Sequence, residues 1–264
     1  MKTRKKGDNV ANIELKENER IDDLELYGLK IIQNKEGFCY GMDSVLLSDL
    51  AKDIRKGSKV LDLCAGNGII GTLLCGKTKL ENVIGIEVQA DVCEMATRSI
   101  LYNRLQDKFQ MIRGDIKSIE ELVPAESFDA VTCNPPYKKE NSGITNESEA
   151  KLIARHEILC NLEDVVKAGA YALKDKGSFY IVHRPERLAD LFYILRQNKL
   201  EPKILRFVQP KISKKPNLIL VKAIKHGNSF LDVKEPIIVY NADGSYTDEI
   251  YKIYGRERWK EHYI

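Results

Sequence analysis

The 264-residue chain is 43% hydrophobic and 31% charged, enough to bury a full core as one large domain or as a domain with appendages. Its net charge of +3 is too small to announce a nucleic-acid partner, so local clusters must carry any such argument. Six cysteines stand singly without a C-x-x-C pair, the basic start MKTRKKGDNV has no apolar run behind it, and no stretch approaches ~20 apolar residues. These features speak against a metal site, a secretion signal and a membrane span, and for a cytoplasmic protein with reduced thiols.

Residues 1–20 are charged and aperiodic and read as a flexible arm, ahead of a single domain over 21–264. Residues 24–32 (LELYGLKII) suggest short strands around Gly28, and 44–51 (SVLLSDLA) a helix capped by Asp43 or Ser44. From Lys59 strands and helices alternate. Strands fall at 59–64, 82–87, 109–113 and 128–133, with helices starting at Ile69 and over 91–104. After a polar loop come a helix over 162–173, a strand over 177–183 and an amphipathic helix over 187–198. Two more strands, 204–208 and 218–223, are joined by the short loop QPKISKKPN, which favours an antiparallel pair because a parallel crossover needs about a dozen residues. The tail 235–254 reads as a terminal strand, an Asp-Gly turn and a tyrosine-studded helix. The pattern predicts an α/β fold, a mostly parallel sheet with helices on both faces.

In such sheets ligands bind beyond the carboxyl ends of the strands. The first core strand is followed by Asp62-Leu63-Cys64-Ala65-Gly66-Asn67-Gly68-Ile69-Ile70-Gly71, a formal G-x-G-x-x-G with Glu87 about 20 residues on. A pyrophosphate would be repelled by the Asp62 carboxylate, which favours a zwitterionic or cationic ligand. Glu87, with Val88 beside it, ends the second core strand, where a carboxylate can accept both hydroxyls of a ribose. Asp115 and Ile116 follow the third and offer a carboxylate and an N–H to an adenine edge, although Asp115 reads equally well as a helix cap. An amino acid, a ribose and an adenine together make S-adenosylmethionine.

The fourth core strand runs into Asn134-Pro135-Pro136-Tyr137. Two prolines cannot continue a ladder and hold a rigid turn with outward carbonyls. An Asn amide oxygen and a proline carbonyl can then accept both hydrogens of a planar amino group, leaving its lone pair to attack a sulfonium methyl, while Tyr137 stacks on the base.

These ordered motifs resemble those of class I amino-methyltransferases with an N/D-P-P-Y/F/W signature. That resemblance implies a Rossmann-like, seven-stranded sheet with an antiparallel last strand, and a catalytic core over about 38–225 with a C-terminal extension over about 226–264. Phe38-Cys39-Tyr40-Gly41-Met42-Asp43-Ser44, Arg155-His156-Glu157 and Arg184-Pro185-Glu186-Arg187 further resemble the bacterial tRNA1(Val) adenine N6-methyltransferases. This resemblance implies methylation of a tRNA adenine next to the anticodon, at position 37. It also places Tyr40 and Asp43 over the methionine end of the cofactor, although Tyr40 reads equally as core packing. With them, the candidate cofactor residues are Asp62, Cys64, Gly66, Asn67, Gly68, Glu87, Val88, Asp115, Ile116 and Asn134. The candidate RNA contacts are Lys138, Lys139, Arg155, His156, Arg184, Lys211, Lys214 and Lys215, on a monomer or weak dimer. N2-methylation of rRNA guanine and N5-methylation of a release-factor glutamine remain open, the latter weakened by the lack of room for a helical N-terminal domain. A flipped adenine suits single-stranded loop RNA better than duplex.

Overall fold

A computed structural model describes residues 13–37, 39–136 and 161–256. Phe38, Tyr137, Lys138, Lys139, Arg155 and His156 lie outside the described residues. The core is one sheet of β3 (Lys59–Leu63), β4 (Asn82–Glu87), β5 (Phe109–Arg113), β6 (Phe128–Cys133), β7 (Leu173–His183), β8 (Leu200–Gln209), β9 (Leu218–Lys225) and β10 (Asp232–Ile238). Its spatial order is β10-β8-β9-β7-β6-β3-β4-β5. Every neighbouring pair is parallel except those of β9, which runs antiparallel to both β7 and β8. All strands but β9 therefore end at the same edge.

The Rossmann-like α/β architecture and the antiparallel strand are as expected, but the sheet has eight strands, not seven. The added β10 runs parallel along β8, with its register shifting around Pro236. A charged strand with a proline is tolerated at a sheet edge, where one row of N–H groups needs no partner; the terminal strand read from Glu235 onward is this one, but it starts earlier, at Asp232, and joins the main sheet. Pro202 likewise masks the start of β8, which begins at Leu200 and shifts register between Pro202 and Ile204.

Side chains alternate across the strands and feed two hydrophobic layers. On β3, Val60 faces a layer built with α1 (Met42–Leu50) and α2 (Ile69–Lys77). Leu61 and Leu63 face another layer that includes α5 (Leu162–Ala172) and α6 (Leu188–Gln197). The other helices are α3 (Ala90–Tyr102), the short α4 (Ile119–Leu122) and α7 (Asp248–Ile253).

The N-terminal hairpin differs in register from the sequence reading. Its strands are β1 (Glu19–Asp23) and β2 (Lys30–Asn34), and the leucines taken as strand residues lie in the connection between them. Leu24, Leu26 and Leu29 are buried there, so the apolar signal marks a loop folded onto the core. Helix α1 also starts earlier than expected. Gly41 is its N-cap residue, and Asp43 and Ser44 lie in the first turn, where Asp43 Oδ1 accepts the Ser44 N–H at 2.9 Å.

Candidate active site

The loop after β3 turns through three left-handed residues, Cys64 (φ 54°), Gly66 (φ 55°) and Gly68 (φ 79°). No atom lies within 4 Å of where a Gly66 Cβ would sit, so this turn presents open backbone surface. Gly68 is the N-cap residue of α2. The third glycine of the motif serves packing instead: a Cβ on Gly71 would lie 2.4 Å from Phe109 Cζ.

Two carboxylates, Glu87 and Asp62, stand around this turn, and a third, Asp115, follows β5 two strand positions away. Glu87, at the end of β4 and buried, accepts the Gly66 N–H at 3.0 Å through Oε2 and the Gln89 N–H at 3.0 Å through Oε1. It ties the ends of two neighbouring strands together. Asp62 is fully buried on β3, and its Oδ1 accepts the hydroxyl of Thr132 at 2.7 Å across the β3–β6 ladder. Among the described residues its Oδ2 has no hydrogen-bond partner. Burial pushes the Asp62 carboxyl up to about 7, against the opposing pull of the Thr132 hydroxyl and the nearby Gly71 N–H, with Glu87 adding a small repulsion. Asp115 caps the short turn at Ile116–Ser118, taking the Lys117 N–H at 3.0 Å, and Ile116 is buried beneath it.

Asn134 emerges from β6 next to the β3 turn, one strand spacing or about 5 Å away in the sheet. Its Nδ2 donates to Ser44 Oγ at 3.0 Å, and Ser44 is 3% exposed on α1. The Asn134 Oδ1 has no hydrogen-bond donor among the described residues. Pro135 is buried and Pro136 half-buried. The structure thus brings Asp62, Gly66, Gly68, Glu87 and Asn134 to one edge of the sheet.

Gln33 escaped the sequence reading, and so did the bond that Ser44 makes to Asn134. Gln33, 2% exposed on β2, accepts the Tyr40 N–H at 2.8 Å and the Asn67 amide at 3.4 Å through one oxygen, and donates to Asp22. It ties the hairpin to the segment before α1 and to the glycine turn. A polar residue in the apolar run Lys30-Ile31-Ile32-Gln33 was the available signal. The sequence presents Ser44 only as a possible helix cap, and nothing local signals its bond to Asn134.

Of the basic residues expected to meet substrate, Arg184 follows β7 and donates to the Asn217 carbonyl at 2.8 Å, bracing the loop between β8 and β9. In that loop Lys211 reaches the Ala242 carbonyl at 3.3 Å, and Lys214 and Lys215 are exposed. Among the described residues no group of three or more His, Cys, Asp or Glu side chains is placed to hold a metal ion, and no helix is long and apolar enough to cross a membrane.

A parallel sheet with one antiparallel strand, an acid-lined glycine turn and an Asn-Pro-Pro turn beside it define a class I S-adenosylmethionine-dependent methyltransferase. Residues 39–190 match the methyltransferase small domain family, and the chain belongs to it. Curated relatives include the tRNA1(Val) (adenine(37)-N6)-methyltransferase of Porphyromonas gingivalis, 27% identical over 221 residues, covering 81% of this chain and 86% of the relative. The enzyme of the same name from Haemophilus influenzae is 25% identical over 219 residues, covering 80% and 87%. Among solved structures, a predicted O-methyltransferase from Agrobacterium tumefaciens superposes with a TM-score of 0.66 at 21% identity, covering 81% of this chain and 96% of that one. TYW2 of M. jannaschii, in complex with AdoMet, gives 0.54 at 16% identity, covering 80% and 88%. These two likenesses speak for the fold.

Proposed function

We propose that this enzyme transfers the methyl group of S-adenosylmethionine to the N6 amino group of an adenine in tRNA, at position 37 beside the anticodon. The observation that carries the proposal is the Asn134 amide: its Nδ2 is tied to Ser44 at 3.0 Å, so its oxygen is left to accept an amino hydrogen next to the glycine turn. The names and coverage of the curated relatives support the choice of tRNA adenine.

The residues present fit the cofactor. The Gly66 turn offers backbone that a Cβ would cover, and the unpartnered oxygen of Asp62 and the carboxylates of Glu87 and Asp115 make an acidic surround. Such a surround suits a sulfonium and an ammonium and would repel a polyphosphate. Tyr40, Asp43, Cys64 and Asn67 would line the methionine end, with Glu87 and Val88 at the ribose and Asp115 and Ile116 at the adenine. When bound, the cofactor supplies an electrophilic methyl group. The chain's own contribution is positioning and electrostatics: Asn134 Oδ1 and the Pro135 carbonyl accept the two hydrogens of the flat amino group and favour the nitrogen as it becomes positive. Tyr137, outside the described residues, has by resemblance the role of stacking on the adenine. No strong base is required, since the extra proton leaves after transfer.

Incubating unmodified tRNA with the enzyme and labelled S-adenosylmethionine, then analysing nucleosides by mass spectrometry, should yield N6-methyladenosine. N2-methylguanosine, or label found only in protein, would overturn the assignment. The same reading puts RNA docking on the carboxyl edge of the sheet. The β8–β9 loop leaves the sheet three strand positions from β6, about 14 Å along the edge. Charge reversal at Lys214 and Lys215 together should raise the KM for tRNA about tenfold and flatten its logarithmic salt dependence by about two. Steady-state kinetics across a salt series checks this, and an unchanged slope would remove these lysines from the interface.

A further inference from the structure

We infer that Ser44 is a positioning residue for the methyl transfer, acting through Asn134 by fixing which end of its amide faces the substrate. The inference rests on the reading of Asn134 given above and adds a residue outside the Asn-Pro-Pro turn. An asparagine amide turns about a soft terminal torsion, and its two ends are opposite in hydrogen-bonding sense. With Oδ1 toward the substrate it accepts an amino hydrogen; turned over, it presents N–H to N–H and repels the group it should hold. The turn itself does not select between these states, because a proline ring fixes backbone and leaves the preceding side chain free.

Ser44 supplies the missing constraint. Its hydroxyl oxygen accepts Asn134 Nδ2 at 3.0 Å from a different layer of the fold, 90 residues away in sequence. The serine is 3% exposed, so water is poorly placed to substitute for it. Its own backbone is held, since the Ser44 N–H donates to Asp43 Oδ1 at 2.9 Å in the first turn of α1. That helix packs against α2, β7, β9 and α7, so the hydroxyl sits on a braced element. Removing it would leave the amide free to turn, while the glycine loop, Glu87 and Asp62, which are held by hydrogen bonds that do not involve Ser44, stay as they are.

The test uses the full chain with unmodified tRNA and compares Ser44→Ala and Ser44→Thr with the wild type. Ser44→Ala should lower kcat about tenfold, the kinetic equivalent of one hydrogen bond at the upper end of its range, with KM for S-adenosylmethionine changed less than about twofold. Ser44→Thr, which keeps the hydroxyl, should recover most of the loss. A kcat for Ser44→Ala within about twofold of wild type, or a threonine variant as slow as the alanine one, overturns the inference. Should either variant fold poorly, the wild type alone still decides: the side-chain NH2 of Asn134, assigned through Asn134→Asp, should exchange with solvent slowly, and exchange at the rate of a free amide refutes the anchor. A wild type with no methylation of any tRNA adenine would sink the proposed reaction itself, an outcome distinct from an active wild type indifferent to Ser44.

Discussion

Asn134→Ala should lower turnover about 10²–10³-fold, as loss of one preorganised acceptor at a developing charge does elsewhere, while S-adenosylmethionine still binds within about tenfold, or 1.4 kcal/mol. The separation of the two effects is the informative part. Asn134 reaches toward the substrate side from β6 and bonds to Ser44, whereas the glycine turn is held by Glu87 at Gly66 and by the start of α2. Cutting the side chain at Asn134 therefore removes the grip on the amino group and leaves the cradle standing. Single-turnover rates with labelled cofactor and calorimetry of cofactor binding read the two quantities separately. Full activity in this variant would refute the role given to the amide, and loss of cofactor binding in step with turnover would make Asn134 a structural support of the cradle instead.

Asp62→Asn should make the stability balance between wild type and variant depend on pH, moving toward the variant as pH rises. In the unfolded chain this carboxyl titrates near ~3.9, and in the fold burial raises it to about 7. Between those values the folded state keeps a proton that the unfolded state has lost, so native binding exceeds unfolded binding and stability falls as pH rises through the window. A tenfold difference in proton affinity is worth about 1.4 kcal/mol, so the wild type loses about 4 kcal/mol from this group between pH 4 and pH 7, an upper figure for a buried site. Asparagine has the same shape, can still accept the Thr132 hydroxyl, and does not titrate. The stability difference between wild type and variant should therefore swing toward the variant from pH 4 to pH 8, as read by denaturant unfolding at each pH. At the same time S-adenosylmethionine should bind the variant more weakly, because a positive ligand favours an ionised Asp62. The wild type should accordingly release a proton on binding near pH 6, measurable by calorimetry in buffers of different ionisation enthalpy, and the variant should release none. A flat difference curve would show that Asp62 is already ionised in the ligand-free fold.

The part of this fold legible in the sequence is the part where local pattern and buried position agree. Strands β4, β5 and β6 lie where the sequence placed them, because VIGIE, FQMIR and FDAVTC are short apolar runs bounded by turns. The glycine turn and the Asn-Pro-Pro turn were equally plain, since both depend on backbone properties that few residue types possess. What stayed hidden depends on partners far along the chain. The sequence places a terminal strand from Glu235, but the start of β10 at Asp232 and its place in the main sheet depend on pairing with β8, which no local pattern shows. The β1 strand, ERIDD, is nearly all charged, and Arg98 of α3 engages Glu19 in that strand at 2.5 and 2.7 Å. Gln33 and Ser44 are ordinary polar residues until the fold seals them against Asn67 and Asn134, and no local spacing foretells such a contact.

The tail helix α7 lies against α1, and Arg256 just beyond it pairs with Glu25 in the hairpin connection. The last-made described part of the chain thus clasps the first. During synthesis the glycine turn and the Asn-Pro-Pro turn leave the ribosome well before the brace that steadies α1 from outside. A nascent chain stalled after β9 would carry every recognisable motif and still lack one support of its amide anchor.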